Sequence, residues 1–430
     1  MPVPARIIAV DDELPHLRGL VTGLNRSGWA CLQVHYPDEL GTVEPCQHAR
    51  IVFTDLHLDA GGAFGDPTKN YGIVQSLLEV TVKPAGPYML VVWTSFPEEA
   101  GKLADFLGSR MRSVSPPVAV VPLAKAGRLD ADGNLTDPVA FVRDLRKLVA
   151  DQPQFAALLN WEQRVLGAAA GTVAEILALT LPGKPGTPPP PKLAQVIAQL
   201  ATAAVGRHNV EHDRFRAVNE TLLPILADRV GVLRGEAADK AVWDHAFAST
   251  DLDATLAPFV AARLNRFLHV EDAPPAGAGC YRGAVVELPT ELDGERFEAR
   301  FGIKPESKDA RREFGIKDGV GTDKWIWRLV QVQAACDAAQ QNPGPLPFVL
   351  AAEVDWEERG QLRGGAWGSR CLTLSNREIR LVINARFLID VPTKRAAGLK
   401  AVYRLREQIM GEVSHHLHSQ GARPGIISFG

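Results

Sequence analysis

Hydrophobic runs in the first third of the chain are short, and each stops on a polar residue. Ile7 to Val10 stops on Asp11 and Asp12, RIVFTDLHL on Asp55, YMLVVWTSF on Thr94 and Ser95, and VAVVPLAKAG just before Lys125. Apolar, β-branched runs of about four to eight residues with helical stretches between them predict parallel strands of an α/β sheet. In such sheets the polar residues at the carboxyl ends of the strands line the binding crevice. Four strand ends therefore deliver acid, acid, hydroxyl and amine to one place. DPVAFVRDLRKLVADQ, with Val139, Phe141, Val142, Leu145 and Leu148 on a helical stripe, predicts the amphipathic helix that closes a domain over 1–150.

The pattern then changes. An alanine-rich connecting helix is expected over 151–180, from about Phe155 to Thr180, and it is apolar on so much of its circumference that it must pack against something. A second copy of the chain and the protein's own later helices are both candidates. LPGKPGTPPPPK, residues 181–192, is a linker by composition, because proline removes backbone donors and favours a stiff extended chain. Its PxxP pattern is read as spacer rather than ligand. Residues 193–270 read as a helical bundle, through KLAQVIAQLATAAVG, RFRAVNETLLPILADRVGVL, KAVWDHAFAS and LAPFVAARLNRFLHV. Over 271–430 an α+β domain is expected, with strands at CYRGAVVELP, PFVLAAEVDW, RCLTLSNREIRLVINARFLIDV and GIISF. Helices are expected there at WIWRLVQVQAACDAAQQ and LKAVYRLREQIMGEVSHHLHSQ.

Composition narrows the class. At 430 residues the chain exceeds one domain, and 46% hydrophobic residues suffice for globular cores. A net charge of −3 gives no basic bias, so nucleic acid is not an expected partner. The five cysteines form no Cys-x-x-Cys pair, which argues for reduced thiols in a cytoplasm. No apolar run reaches the roughly 18 to 20 residues of a membrane span, and no leader pattern opens the chain. A cytoplasmic location without membrane contact is the expectation.

The strand-end residues carry the chemistry. Clustered carboxylates stay ionised together only beside a cation, and an all-oxygen site of this kind suits magnesium. A metal, a lysine and a hydroxyl around one carboxylate would stabilise an incoming phosphoryl group. Asp55 would then be the nucleophile, forming an acyl phosphate.

Through Asp11, Asp12, Asp55, Thr94 and Lys125, in that order and each at the end of a predicted strand, about the first 150 residues resemble the receiver domain of two-component response regulators. The resemblance implies a flavodoxin-like, doubly wound parallel domain. It implies that Asp11, Asp12 and Asp55 with the carbonyl of His57 hold magnesium, that a sensor histidine kinase phosphorylates Asp55, and that Thr94 and Lys125 contact the phosphoryl group. Three departures stand out. DAGGAFGDPTKNYG, rich in turn formers, lengthens the loop after Asp55; Lys125, more widely spaced from Thr94 than usual, is followed by Ala126; and Pro122 stands where many receivers have a switching aromatic residue.

Other motifs read more plainly. HNVEH places His208 and His212 around Glu211 at a zinc-site spacing, with Glu287 a candidate third ligand, but a polar helix start explains it as well. His415, His416 and His418 lie near a predicted helix end, where they complement the dipole, with Arg423 beyond. Cys336 reads as a buried small apolar residue rather than a nucleophile, and DADGN, from Asp130, as a turn. No P-loop, dinucleotide fingerprint or nucleophile elbow is present. The expected function is therefore a phosphorelay signalling protein whose receiver controls a non-DNA-binding module and its downstream protein partner, with homodimerisation along the 155–180 helix. By fold analogy alone this combination is compatible with a bacterial antiviral signalling system. The alternative is a receiver-regulated, metal-dependent hydrolase.

Overall fold

Strands β1 (Ile7–Asp11), β2 (Cys31–His35), β3 (Ile51–Thr54), β4 (Met89–Thr94) and β5 (Ala119–Ala124) form a parallel sheet in the order β2-β1-β3-β4-β5. The computed structural model describes residues 5–40, 46, 48–58, 67–82, 86–112, 115–182, 189–232, 237–272, 274, 277–292, 294–340 and 344–421. Helices α1 (Leu14–Arg26), α2 (Pro67–Thr81), α3 (Ala100–Arg110) and α4 (Pro138–Ala150) accompany this sheet. Alternation explains why its central strands β1, β3 and β4 read as unbroken apolar runs. Ile8, Val10, Val52, Leu90 and Val92 enter one core, and Ala9, Ile51, Phe53, Met89, Val91 and Trp93 enter the other. Both faces are covered, so both sets must be apolar. Pro122 is exposed on β5, an edge strand, where the missing N–H costs no ladder bond.

Helix α4 starts on Asp137, whose side chain accepts from the Ala140 N–H at 2.9 Å. Phe141 and Leu145 are buried as its stripe predicts, but Val139 is 81% exposed in the first turn. The chain divides into two compact units, Met1–Ala170 with Arg229–Thr250, and Gly171–Asp228 with Asp251–Gly430. Helices α5 (Pro153–Ala178), α6 (Leu193–Val205), α7 (Arg207–His212), α8 (Arg214–Val232), α9 (Ala237–Phe247) and α10 (Pro258–His269) follow α4. Within the first unit α9 is tied to the start of α5: Asn160 Nδ2 donates to Asp239 at 2.6 Å, and the Trp243 indole donates to Asn160 Oδ1 at 3.2 Å.

The second unit is built on an antiparallel sheet of β6 (Val270–Glu271), β7 (Ala284–Glu287), β8 (Trp325–Gln331), β9 (Leu346–Asp355), β10 (Ala366–Gly368), β11 (Leu372–Leu374), β12 (Arg377–Val391) and β13 (Ala401–Leu405). Its order is β10-β12-β9-β8-β7-β13-β6, with β11 also paired to β12. Helices α11 (Gly294–Phe301), α12 (Lys308–Glu313), α13 (Ala335–Gln340), α14 (Thr393–Ala397) and α15 (Glu407–Gly421) complete it. A two-residue turn joins β11 to β12, with Ser375 at φ 47° and Asn376 at φ 63°, the left-handed pair that such hairpins need.

Two segments whose sequences predict helix begin as strands. WIWRLVQ is β8, and only Ala335–Gln340 of that segment is helical; AVYRL is β13, and its helix begins at Glu407. Leu329 joins one core and Val330 the other, so both faces of β8 are apolar and no alternation marks it. In β13 a register shift between Ala401 and Tyr403 blurs the period further. The proposed loop DAGGAFGDPTKNYG lies outside the described residues up to Asp66, and from Pro67 onward it is helix α2. GIISF and Arg423 also lie outside the described residues. Among the described residues, no helix is long and apolar enough to cross a membrane.

Candidate functional site

The carboxyl ends of β1, β3, β4 and β5 converge as their sequences predict. Asp11 ends β1, Asp55 follows β3, Thr94 ends β4 and Lys125 follows β5, and all four are buried. Backbone bonds set their register: Asp55 N–H donates to the Val10 carbonyl at 3.1 Å, and Lys125 N–H to the Thr94 carbonyl at 2.9 Å. The Lys125 ammonium lies 2.7 Å from Asp55 Oδ2 and 2.8 Å from Asp11 Oδ2, bridging the two strands. On the far side of the Asp55 carboxylate, Oδ1 accepts from the Leu56 N–H at 2.6 Å and from the His57 N–H at 3.4 Å.

Asp12 sits half-buried on the turn into α1, while Asp11 Oδ1 accepts from the Glu13 N–H at 2.9 Å. Oxygens of Asp11, Asp12 and Asp55 approach within 4.8 Å of one another, and this is the group among the described residues that could hold a metal ion. The donor set fits a hard cation, being all oxygen. Three carboxylates against the Lys125 ammonium leave a net charge of −2, which a divalent ion would cancel. Asp11 Oδ2 is buried and, although in ion-pair range of Lys125, has no aligned hydrogen bond, so it remains open to a further cation.

Burial dominates the electrostatics. It pushes the Asp11 carboxyl up to about 7, with Lys125 opposing and Asp55 adding to the rise. Burial also raises Asp12, helped by the Asp55 charge. For Lys125 burial acts downward, but Asp55 and Asp11 outweigh it and hold the ammonium above its ordinary value.

Several neighbours are invisible in the spacing. The His57 ring packs on Phe96 with centroids 4.6 Å apart, and its Nδ1 meets the Asn70 side chain at 3.1 Å. His35 Nε2 lies 3.0 Å from the Asp12 carbonyl. Thr94 Oγ1 accepts from the Phe96 N–H at 3.2 Å, and among the described residues its hydroxyl donates to nothing. Of these, Phe96 carried a sequence signal as an apolar residue just past a strand end, and His57 was implicated by the resemblance through its carbonyl, not its ring.

The remaining candidates do not join this cluster. His208 and His212 are exposed on α7, and Glu211 between them pairs with Arg207 at 3.1 Å. Glu287 pairs with Lys400 at 2.6 Å. His415, His416 and His418 lie on α15, where His418 Nδ1 meets the Ser414 carbonyl at 2.7 Å. Cys336 is exposed rather than buried, because the short α13 leaves it on the solvent side. Asp130 caps its own turn, accepting from the N–H groups of Asp132 and Asn134 at 2.9 and 2.8 Å. No protein-family model matches this chain, and no curated protein matches it.

Proposed function

We propose that the first unit is a receiver-type, flavodoxin-like domain that accepts a phosphoryl group on Asp55 and thereby controls the second unit. The observation that carries this reading is the Lys125 ammonium held at 2.7 and 2.8 Å between Asp55 and Asp11 at the strand ends. The strand order β2-β1-β3-β4-β5 supports it, since doubly wound sheets of that order bind ligands at this edge. The donor is a phosphohistidine on a sensor kinase. Its P–N bond breaks as a P–O bond to Asp55 forms, and the imidazole leaves with the electron pair.

Asp55 is already aimed for this role by Leu56 N–H and Lys125, which grip its two oxygens. Lys125 neutralises charge on the arriving phosphoryl oxygens, and the Thr94 hydroxyl donates to one of them. Magnesium held by Asp11, Asp12, Asp55 and the His57 carbonyl would supply the remaining positive charge. In this reading the second unit is the responding module, its partner is a protein, and the chain's net charge of −3 gives duplex DNA no electrostatic footing.

Intact-protein mass after incubation with magnesium and acetyl phosphate tests the reading. A phosphoryl-sized adduct on wild type and none on Asp55→Asn is expected. An unmodified wild-type chain that still binds magnesium, with both acetyl phosphate and phosphoramidate as donors, would overturn it.

A further inference from the structure

At the opposite end of the first sheet lies a cavity of about 670 Å³, at the starts of β1, β2 and β3. That volume falls within the roughly 300–1,000 Å³ typical of small-molecule sites. Its walls are apolar: Trp29 from the turn after α1, Cys31, Ile51, and Val149 and Leu159 from α4 and α5. Its polar groups are few and mostly of one sign. Arg6 Nη2 reaches Glu162 Oε1 at 2.6 Å, and Arg50 grips the same carboxylate through Nη2 at 2.9 Å and Nε at 3.0 Å. Two guanidiniums on one carboxylate leave a charge of +1. Arg146, exposed on the rim, makes no ion pair among the described residues and brings the lining to +2.

We propose that this pocket binds a small amphipathic acid, a molecule with a planar or aliphatic apolar body and one carboxylate, sulfonate or phosphate head. The body lies against Trp29, Val149 and Leu159, and the head faces the arginine side. An arginine pair already fixed by Glu162 is pre-organised, so anion binding there costs little side-chain entropy. The pocket is separate from the carboxylate cluster, because Ile7 and Asp11, at the two ends of β1, stand about 13 Å apart at ~3.3 Å per residue. The inference therefore stands apart from phosphoryl chemistry at Asp55.

The test titrates the full chain with 1-anilinonaphthalene-8-sulfonate and follows its fluorescence, with octanoate and indole-3-acetate as competitors. Saturable binding displaced by the carboxylates is expected, and Asp55→Asn should retain it. Arg146→Glu, at an exposed position, should weaken it at least tenfold, and Ala30→Trp, which fills the mouth from another exposed lining residue, should abolish it. Ile197→Glu, in the apolar groove between α6 and α8 of the second unit, should leave it unchanged. Undiminished binding in Arg146→Glu or Ala30→Trp, loss in Ile197→Glu, or no saturable binding in wild type would each overturn the proposal.

Discussion

Asp11 is fully buried, and its carboxyl titrates near 7 instead of its ordinary 3.8. In the metal-free protein, the folded chain therefore holds a proton between those values that the unfolded chain has shed. This residue's contribution to stability falls as pH rises across that window and is flat above it. A divalent cation must displace the same proton. Its apparent affinity should be level above about pH 7 and decline towards tenfold per pH unit below it, as calorimetric magnesium titration would measure. Asp11→Asn should flatten the profile as well as weaken binding. Lys125 is the group that makes the cluster tolerable. Replacing it with Met strands Asp11 and Asp55 together in a buried site, so urea denaturation should reveal a loss of about 3–5 kcal/mol, partly restored by magnesium.

At the scale of elements, an ion-pair triad joins helix α5 to the first sheet, beside Phe155 in its core. Burial tends to raise Glu162, but the Arg50 and Arg6 guanidiniums overcome it and hold the carboxyl at about 2, below its ordinary 4.5. A depressed carboxyl stabilises fully above its unfolded value and loses that contribution as pH falls through the folded one. Glu162→Gln should cost about 1–3 kcal/mol at neutral pH and remove the part of acid unfolding between those values, as denaturant midpoints measured across pH would show. Another element contact is tighter. A Cβ on Gly19 of α1 would stand 2.0 Å from the Gly133 carbonyl in the Asp130 turn, and Gly133 itself holds φ at +81°. Gly19→Ala should push that turn off α1 at a cost of about 1–3 kcal/mol in thermal unfolding.

On the scale of the whole molecule, the two units keep separate cores. Phe53 lies in the first and Phe348 in the second, both fully buried. Phe348→Ala should destabilise the second unit by about 3–5 kcal/mol while phosphoryl transfer to Asp55, read by intact mass, proceeds as in wild type. The sequence was most legible where a strand ran apolar and then stopped on a polar residue, because a parallel strand covered on both faces writes that pattern directly. Asp11, Asp55, Thr94 and Lys125 were all found in this way. The same burial on both faces hid β8 and β13, whose apolar runs carry no period that separates strand from helix. Linear order by itself thus determined four of the first sheet's five strands, β1, β3, β4 and β5, and the residues at their ends, but not the edge strand β2. Only the tertiary structure decided that Lys125 bridges Asp55 to Asp11, that His57 lies on Phe96, and that Arg6 and Arg50 share Glu162. Those partners are far apart along the chain, and burial sets both their distances and their charges, so no local spacing could encode them.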